Sequence, residues 1–242
     1  MSNIPIQTPP GLTDEAPARR TFFKVIAGAG LASIALPAVV ALPGCSTSPT
    51  GRPGEVVLDF SDDFGVLNYA LALEQLEYGF YEQVRSGSYF QSAPAGERQI
   101  LQDLRDHELA HVDFLVAAIS ALGGTPIGQL QVNFAAVDFS SRSSVLGTAR
   151  AFEDLGVSAY NGAGQYLTNP DLLEIAGKIV SVEARHASAI RDLIAGPSDR
   201  RAFAGDDIID ANGLDVARTP QQVLAAASDF VRTTIELRNV PS

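Results

Sequence analysis

The chain has 242 residues, a net charge of −11 and an isoelectric point near 4.6. Such an acidic balance argues against a nucleic-acid partner, because phosphate recognition needs basic patches. A single cysteine excludes an internal disulfide framework.

The N-terminal stretch reads as an address rather than as fold. Arg19-Arg20-Thr21-Phe22-Phe23-Lys24 has the form of a twin-arginine export signal. An apolar run from Val25 to Leu42 follows, ending in Leu42-Pro43-Gly44-Cys45, which has the form of a lipobox with an unusual Pro43. A charged region, an apolar region and a small-residue cleavage site predict a signal over residues 1–44. The competing reading is a retained membrane anchor, since about 18 apolar residues just span a bilayer. The Gly, Ala and Pro content and the terminal cysteine favour cleavage. Lipid on Cys45 then ties the chain to a membrane of the cell envelope. Residues 45–57 are expected as a flexible Ser/Pro/Gly tether. Without the signal, which carries three basic and two acidic residues, the net charge is −12. The only methionine is Met1 and there is no tryptophan. Lack of an oxidisable thioether suits a life near peroxide, although the scarcity of lysine points equally to a compositional bias.

The remainder predicts an all-α fold, with a four-helix bundle over residues 58–196. Ser61 is the expected N-cap of the first helix, with Asp62 and Asp63 at its positive end. Phe64, Leu67, Leu71, Glu74, Tyr78 and Tyr81 then repeat at three and four spacing. Glu74 stands where a leucine belongs, and Glu77, one turn on, rivals it. Ser86 to Gly96 is a polar break. The second seam is Leu101, Leu104, Glu108, His111, Leu115, Ala118 and Leu122, closed by Gly123-Gly124. Thr125 to Ser141 is a long connection whose apolar piece, Leu130 to Phe139, suits a crossover along the bundle. The third seam starts near Ser143-Ser144 and holds Leu146, Ala149, Glu153, Gly156 or Val157, Tyr160, Gly164 and Leu167. Asn169-Pro170 signals a helix start. The fourth seam is Leu172, Ala176, Ile179, Glu183, His186, Ile190 and Leu193, stopped by Gly196-Pro197. Residues 197–242 are a C-terminal extension with a polar loop and one short helix from Thr219-Pro220 to about Val231, covering the bundle. Four helices joined short, long and short match a bundle with one crossover between helices two and three.

The chemistry lies in a two-fold rhyme. Helices one and three each carry Glu with Tyr seven residues later, Glu74 with Tyr81 and Glu153 with Tyr160. Helices two and four each carry Glu-x-x-His, at Glu108/His111 and Glu183/His186. These pairs use two of the three histidines in the chain. Four carboxylates buried at the middle of four seams repel one another and would take up protons. Two divalent cations remove that conflict, with Glu74, Glu108, His111, Glu153, Glu183 and His186 as six ligands and Glu77 as an additional candidate. Mixed carboxylate and imidazole donors suit iron(II) or manganese(II), with zinc a poorer fit. Gly156 offers room for an oxidant.

The segments L-N-Y-A-L-A-L-E-Q-L-E, H-E-L-A-H-V-D-F-L, F-E-D-L-G-V-S-A-Y and V-E-A-R-H-A-S-A-I-R resemble the ferritin-like superfamily. More narrowly, they resemble its exported group related to desiccation-responsive proteins. The resemblance implies the same six ligands. It also implies a supporting place around the metals for Tyr81 and Tyr160, and oxygen- or peroxide-dependent redox chemistry. The leading expectation is therefore an exported di-iron protein that consumes peroxide or oxygen, or oxidises ferrous iron, with an unidentified reductant. A manganese catalase at the same site and a non-catalytic stress-protective binding protein are alternatives. A further alternative reads His107-Glu108-Leu109-Ala110-His111 as the zinc protease motif H-E-x-x-H, with Glu108 as general base.

Overall fold

The computed structural model describes residues 54–199 and 201–241. The export motif at Arg19 and Arg20 and the lipidation candidate Cys45 lie outside the described residues. Four long helices form the scaffold: α1 (Asp63–Ser86), α3 (Ala95–Ala121), α4 (Arg142–Ala163) and α5 (Pro170–Ala195). Between α1 and α3 the expected polar break contains a one-turn helix, α2 (Ser88–Ser92). α1 packs chiefly on α3, and α4 on α5, so the bundle is two helical hairpins laid together.

Local chemistry sets most helix ends. At the start of α1, Asp62 is the N-cap and not Ser61: its carboxylate accepts from the amides of Phe64 and Gly65. The shift moves the cap one residue into the acidic pair, where a carboxylate also meets the positive end of the helix dipole. Ser141 caps α4, so that helix begins at Arg142. Asn169 caps α5 with Pro170 at its first position, and Gly196, at a φ of +62°, ends it.

The long connection does lie along the bundle. Asn68 donates to the Thr125 carbonyl at 3.1 Å and accepts from the Ile127 amide at 2.8 Å. Seven residues on, Gln75 accepts from the Leu130 amide at 2.7 Å. These two side chains on one stripe of α1 satisfy backbone groups that have no secondary structure of their own. The apolar piece then inserts Phe134 against Phe80 and Phe152, with Phe230 of the tail completing the cluster.

The C-terminal extension departs from the sequence reading. Its helix, α6 (Pro220–Ala227), carries a capping box between Thr219 and Gln222 and is followed by a 3-10 turn, Ser228–Phe230. Beyond it, β2 (Thr234–Arg238) pairs in parallel with β1 (Glu55–Asp59), with Leu58 opposite Leu237. β1 takes in residues 55–57, which were expected in the tether. Both strands are only five residues long, and alternation over so few positions is a weak signal. The pairing fixes both ends of the described chain beside α1. As a result α1 is buried on nearly every side, including Val66, Tyr69, Leu73, Leu76 and Phe80 off the predicted seam. No helix among the described residues is long and apolar enough to cross a membrane.

Candidate metal centre

The four long helices bring Glu74, Glu108, His111, Glu153, Glu183 and His186 together at mid-bundle. The four carboxylates are completely buried, His186 nearly so, and the His111 side chain is 13% exposed. Their donor atoms form two groups that could each hold a metal ion: Glu74, Glu108, His111 and Glu183, and Glu108, Glu153, Glu183 and His186. Glu108 and Glu183 belong to both groups. Each Glu-x-x-His pair puts its carboxylate and imidazole on one helix face, three residues apart.

The geometry asks for cations. His111 Nδ1 lies 3.1 Å from Glu74, 3.2 Å from Glu108 and 3.0 Å from Glu183. His186 Nδ1 lies 2.8 Å from Glu108, 3.4 Å from Glu153 and 3.5 Å from Glu183. One N–H cannot serve three carboxylates. Accordingly Glu108 Oε1, Glu153 Oε2, both Glu183 oxygens and His186 Nδ1 are buried without a hydrogen-bond partner. Orphaned atoms of this kind are rare in folded proteins. A divalent ion within each group gives every one of them a partner, so the residues fit a two-ion centre.

Proton affinities report the same conflict. Burial, then the Glu183 charge, pushes Glu108 up to about 8. Burial raises Glu153 as well, against the pull of His186. Burial would also raise Glu183, but the close approach of the His111 and His186 imidazoles outweighs it and holds that carboxyl near 2. Burial would lower both histidines, yet the surrounding carboxylates prevail and raise them, His111 to about 12. The cluster stabilises positive charge at both imidazole positions.

The tyrosines are crossed. Tyr81 of α1 donates to Glu153 of α4, and Tyr160 of α4 donates to Glu74 of α1. Each tyrosine thus steadies the glutamate of the opposite hairpin, which ties the halves together through the centre. Burial, and then the facing glutamate, raises both phenols far above their ordinary range, so they remain donors.

Three expectations meet a different arrangement. Gly156 does not open space for an oxidant: a Cβ there would lie 2.7 Å from Glu77 Oε1, so the gap is filled by the Glu77 carboxyl. Glu77 is buried but enters neither metal group among the described residues. Burial, then the charges of Glu183, Glu108, Glu153 and Glu74, raises its carboxyl well above the usual range. Glu77 therefore stands beside the centre as a carboxyl that favours its neutral form in the metal-free protein. His107 likewise enters neither group, and no third ligand joins it and His111 among the described residues, so the zinc protease arrangement is not assembled. Its ring instead meets His186.

The family of ferritin-like domains matches residues 62–196, more than half of the chain. The protein belongs to the ferritin-like family. The matched region runs from the N-cap of α1 to the glycine that ends α5, so it contains every residue of the centre. No curated protein matches the chain.

Proposed function

We propose that this ferritin-like protein is an exported, lipid-anchored di-metal carboxylate protein. Its chemistry is redox reaction with dioxygen or peroxide, or the oxidation of ferrous iron, in stress protection. The observation that carries the reading is the sharing of Glu108 and Glu183 between two four-residue groups. Shared carboxylates let two ions of like charge sit side by side. Glu74 and His111 complete one position, and Glu153 and His186 the other. The donor set suits iron first, then manganese, then zinc.

Bound iron or manganese supplies the electrons for oxygen chemistry. The chain's own side chains do the rest. Four buried glutamates and the apolar seams around them exclude bulk water. Tyr81 and Tyr160 hold Glu153 and Glu74 in place through O–H bonds. Glu77 fills the space beside the centre against Gly156. The electron donor is a separate reductant. The envelope location rests on Arg19, Arg20 and Cys45, and the stress role on the resemblance to exported desiccation-related proteins.

The test is metal content after purification without added metal, followed by titration with iron, manganese and zinc. Two ions per chain, lost in both Glu108→Ala and Glu183→Ala, are expected. Peroxide consumption and ferrous oxidation then define the activity, and oxygen release by a manganese form would make it catalase-like. One zinc per chain that needs His107 and ignores Glu183 would replace this reading with a hydrolase. No bound metal would leave a non-catalytic protective protein.

A further inference from the structure

We propose that His107 is a positioning residue that fixes the tautomer of His186 and makes the two metal positions unequal. This rests on the two-ion reading above. His107 Nδ1 lies 3.0 Å from His186 Nε2. The ring planes are within 12° of one another and their centroids are 5.2 Å apart. That separation equals the nitrogen–nitrogen distance plus the two ring radii, so the imidazoles meet edge to edge in nearly one plane. This is the geometry of an N–H···N hydrogen bond rather than a chance contact.

The tautomers follow from the other end of His186. Its Nδ1 faces Glu108, Glu153 and Glu183. For Nδ1 to offer a lone pair to an ion, the proton must sit on Nε2. Nε2–H then donates to His107, whose Nδ1 must be the acceptor. His107 in turn carries its proton on Nε2. An acceptor behind a ligating imidazole fixes its orientation and raises its basicity, and removing such a partner typically costs about 10–100-fold in metal affinity.

The second half of the bundle lacks the device. The residue preceding Glu108 is His107, whereas the residue preceding Glu183 is Val182, which has no side-chain acceptor. The two Glu-x-x-His units are therefore alike in their ligands and different in what stands beside them. The position completed by His186 is the tighter one.

The experiment is a titration of the purified, metal-free protein with cobalt(II), followed by visible absorption. Wild type should fill in two separable steps. His107→Val, which copies the other half, should weaken one step by roughly 10-fold or more and leave the other unchanged. The weakened step should be the one that His186→Ala abolishes. His107→Asn places its Oδ1 where Nδ1 was and should restore the affinity, which a merely space-filling role for His107 would not allow. His107 is exposed, so the variants should fold, as melting in chelator would verify. The inference is overturned if His107→Val changes neither step, weakens both equally, or is not rescued by asparagine. If wild type takes up no metal, the two-ion reading fails first and this inference falls with it.

Discussion

Glu108→Gln should make the chelator-treated protein more stable while removing its response to metal. The native Glu108 carboxyl is pushed from 4.5 to about 8. An acid whose folded affinity for protons exceeds its unfolded one destabilises the fold once the pH passes the unfolded value. The penalty is absent below 4.5, grows through pH 7 and is complete above about 8. At pH 7 it amounts to about 3 kcal/mol, taking about 1.4 kcal/mol per pH unit. For a folded region of this size that corresponds to roughly 6–12 °C in melting temperature. Glutamine keeps the shape and one acceptor oxygen, and it carries no such penalty.

Metal should act in the opposite sense on wild type. Free ion at 100 times its dissociation constant adds about 2.7 kcal/mol per site. Glu108 belongs to both groups, so its replacement should blunt the gain at each. Thermal melts at pH 7, in chelator and in manganese(II), give both numbers for both proteins. A variant that melts lower than wild type in chelator and still gains stability from metal would refute the reasoning.

Other outcomes follow from the same geometry. The metal-free protein should lose stability as pH rises from 5 to 8. Glu108 becomes penalised above 4.5, and the stabilisation from His111, raised to about 12, declines above 6.5 because the unfolded imidazole loses its proton while the folded one keeps it; melts across that range check it, and saturating metal should flatten the trend. Tyr81→Phe and Tyr160→Phe each remove a buried donor to a glutamate and should cost about 1.5–3 kcal/mol, measured by denaturant unfolding. Gly162→Ala would drive a Cβ to 1.8 Å from the Arg218 carbonyl oxygen and break the Arg218–Ser158 bonds, for a loss of about 3 kcal/mol or more. Gly147→Ala, on the same helix with open space around it, should instead gain about 1 kcal/mol, which denaturant melts of the pair would show.

Much of the centre was legible because its residues break the seams they occupy. Glu74 and Glu153 interrupt apolar periodicity, and the two Glu-x-x-His pairs repeat one spacing on two helices. What could not be read was anything that depends on how the hairpins face one another. Tyr81 lies seven residues after Glu74, so the rhyme suggests a partnership within each helix. In the fold each tyrosine reaches across to the other hairpin. The strand pair was hidden for a different reason. Its register joins residues about 180 positions apart, and neither five-residue strand announces itself locally. The near-complete burial of α1 was hidden too, because the crossover and the tail that cover it have little periodicity of their own.

The two halves of the bundle correspond position by position, and their departures from symmetry are informative. Glu74, Tyr81 and Glu108 have counterparts in Glu153, Tyr160 and Glu183. Glu77, in contrast, corresponds to Gly156, and in the fold these two positions meet: the carboxyl of one fills the space that a side chain on the other would need. The glutamate at 77 takes up the space left by the glycine at 156. A second glutamate at 156 would bring another buried carboxyl against Glu77, and an alanine there would collide with it. The pair should therefore behave as one unit. Gly156→Ala should cost about 1–3 kcal/mol by overpacking, less the roughly 1 kcal/mol that alanine gains in a helix. In a Glu77→Ala background the collision is gone and only the helix gain remains. A double-mutant cycle in denaturant reads this coupling directly. If the two substitutions are additive, Glu77 does not occupy the space beside Gly156, and its place next to the centre fails with it.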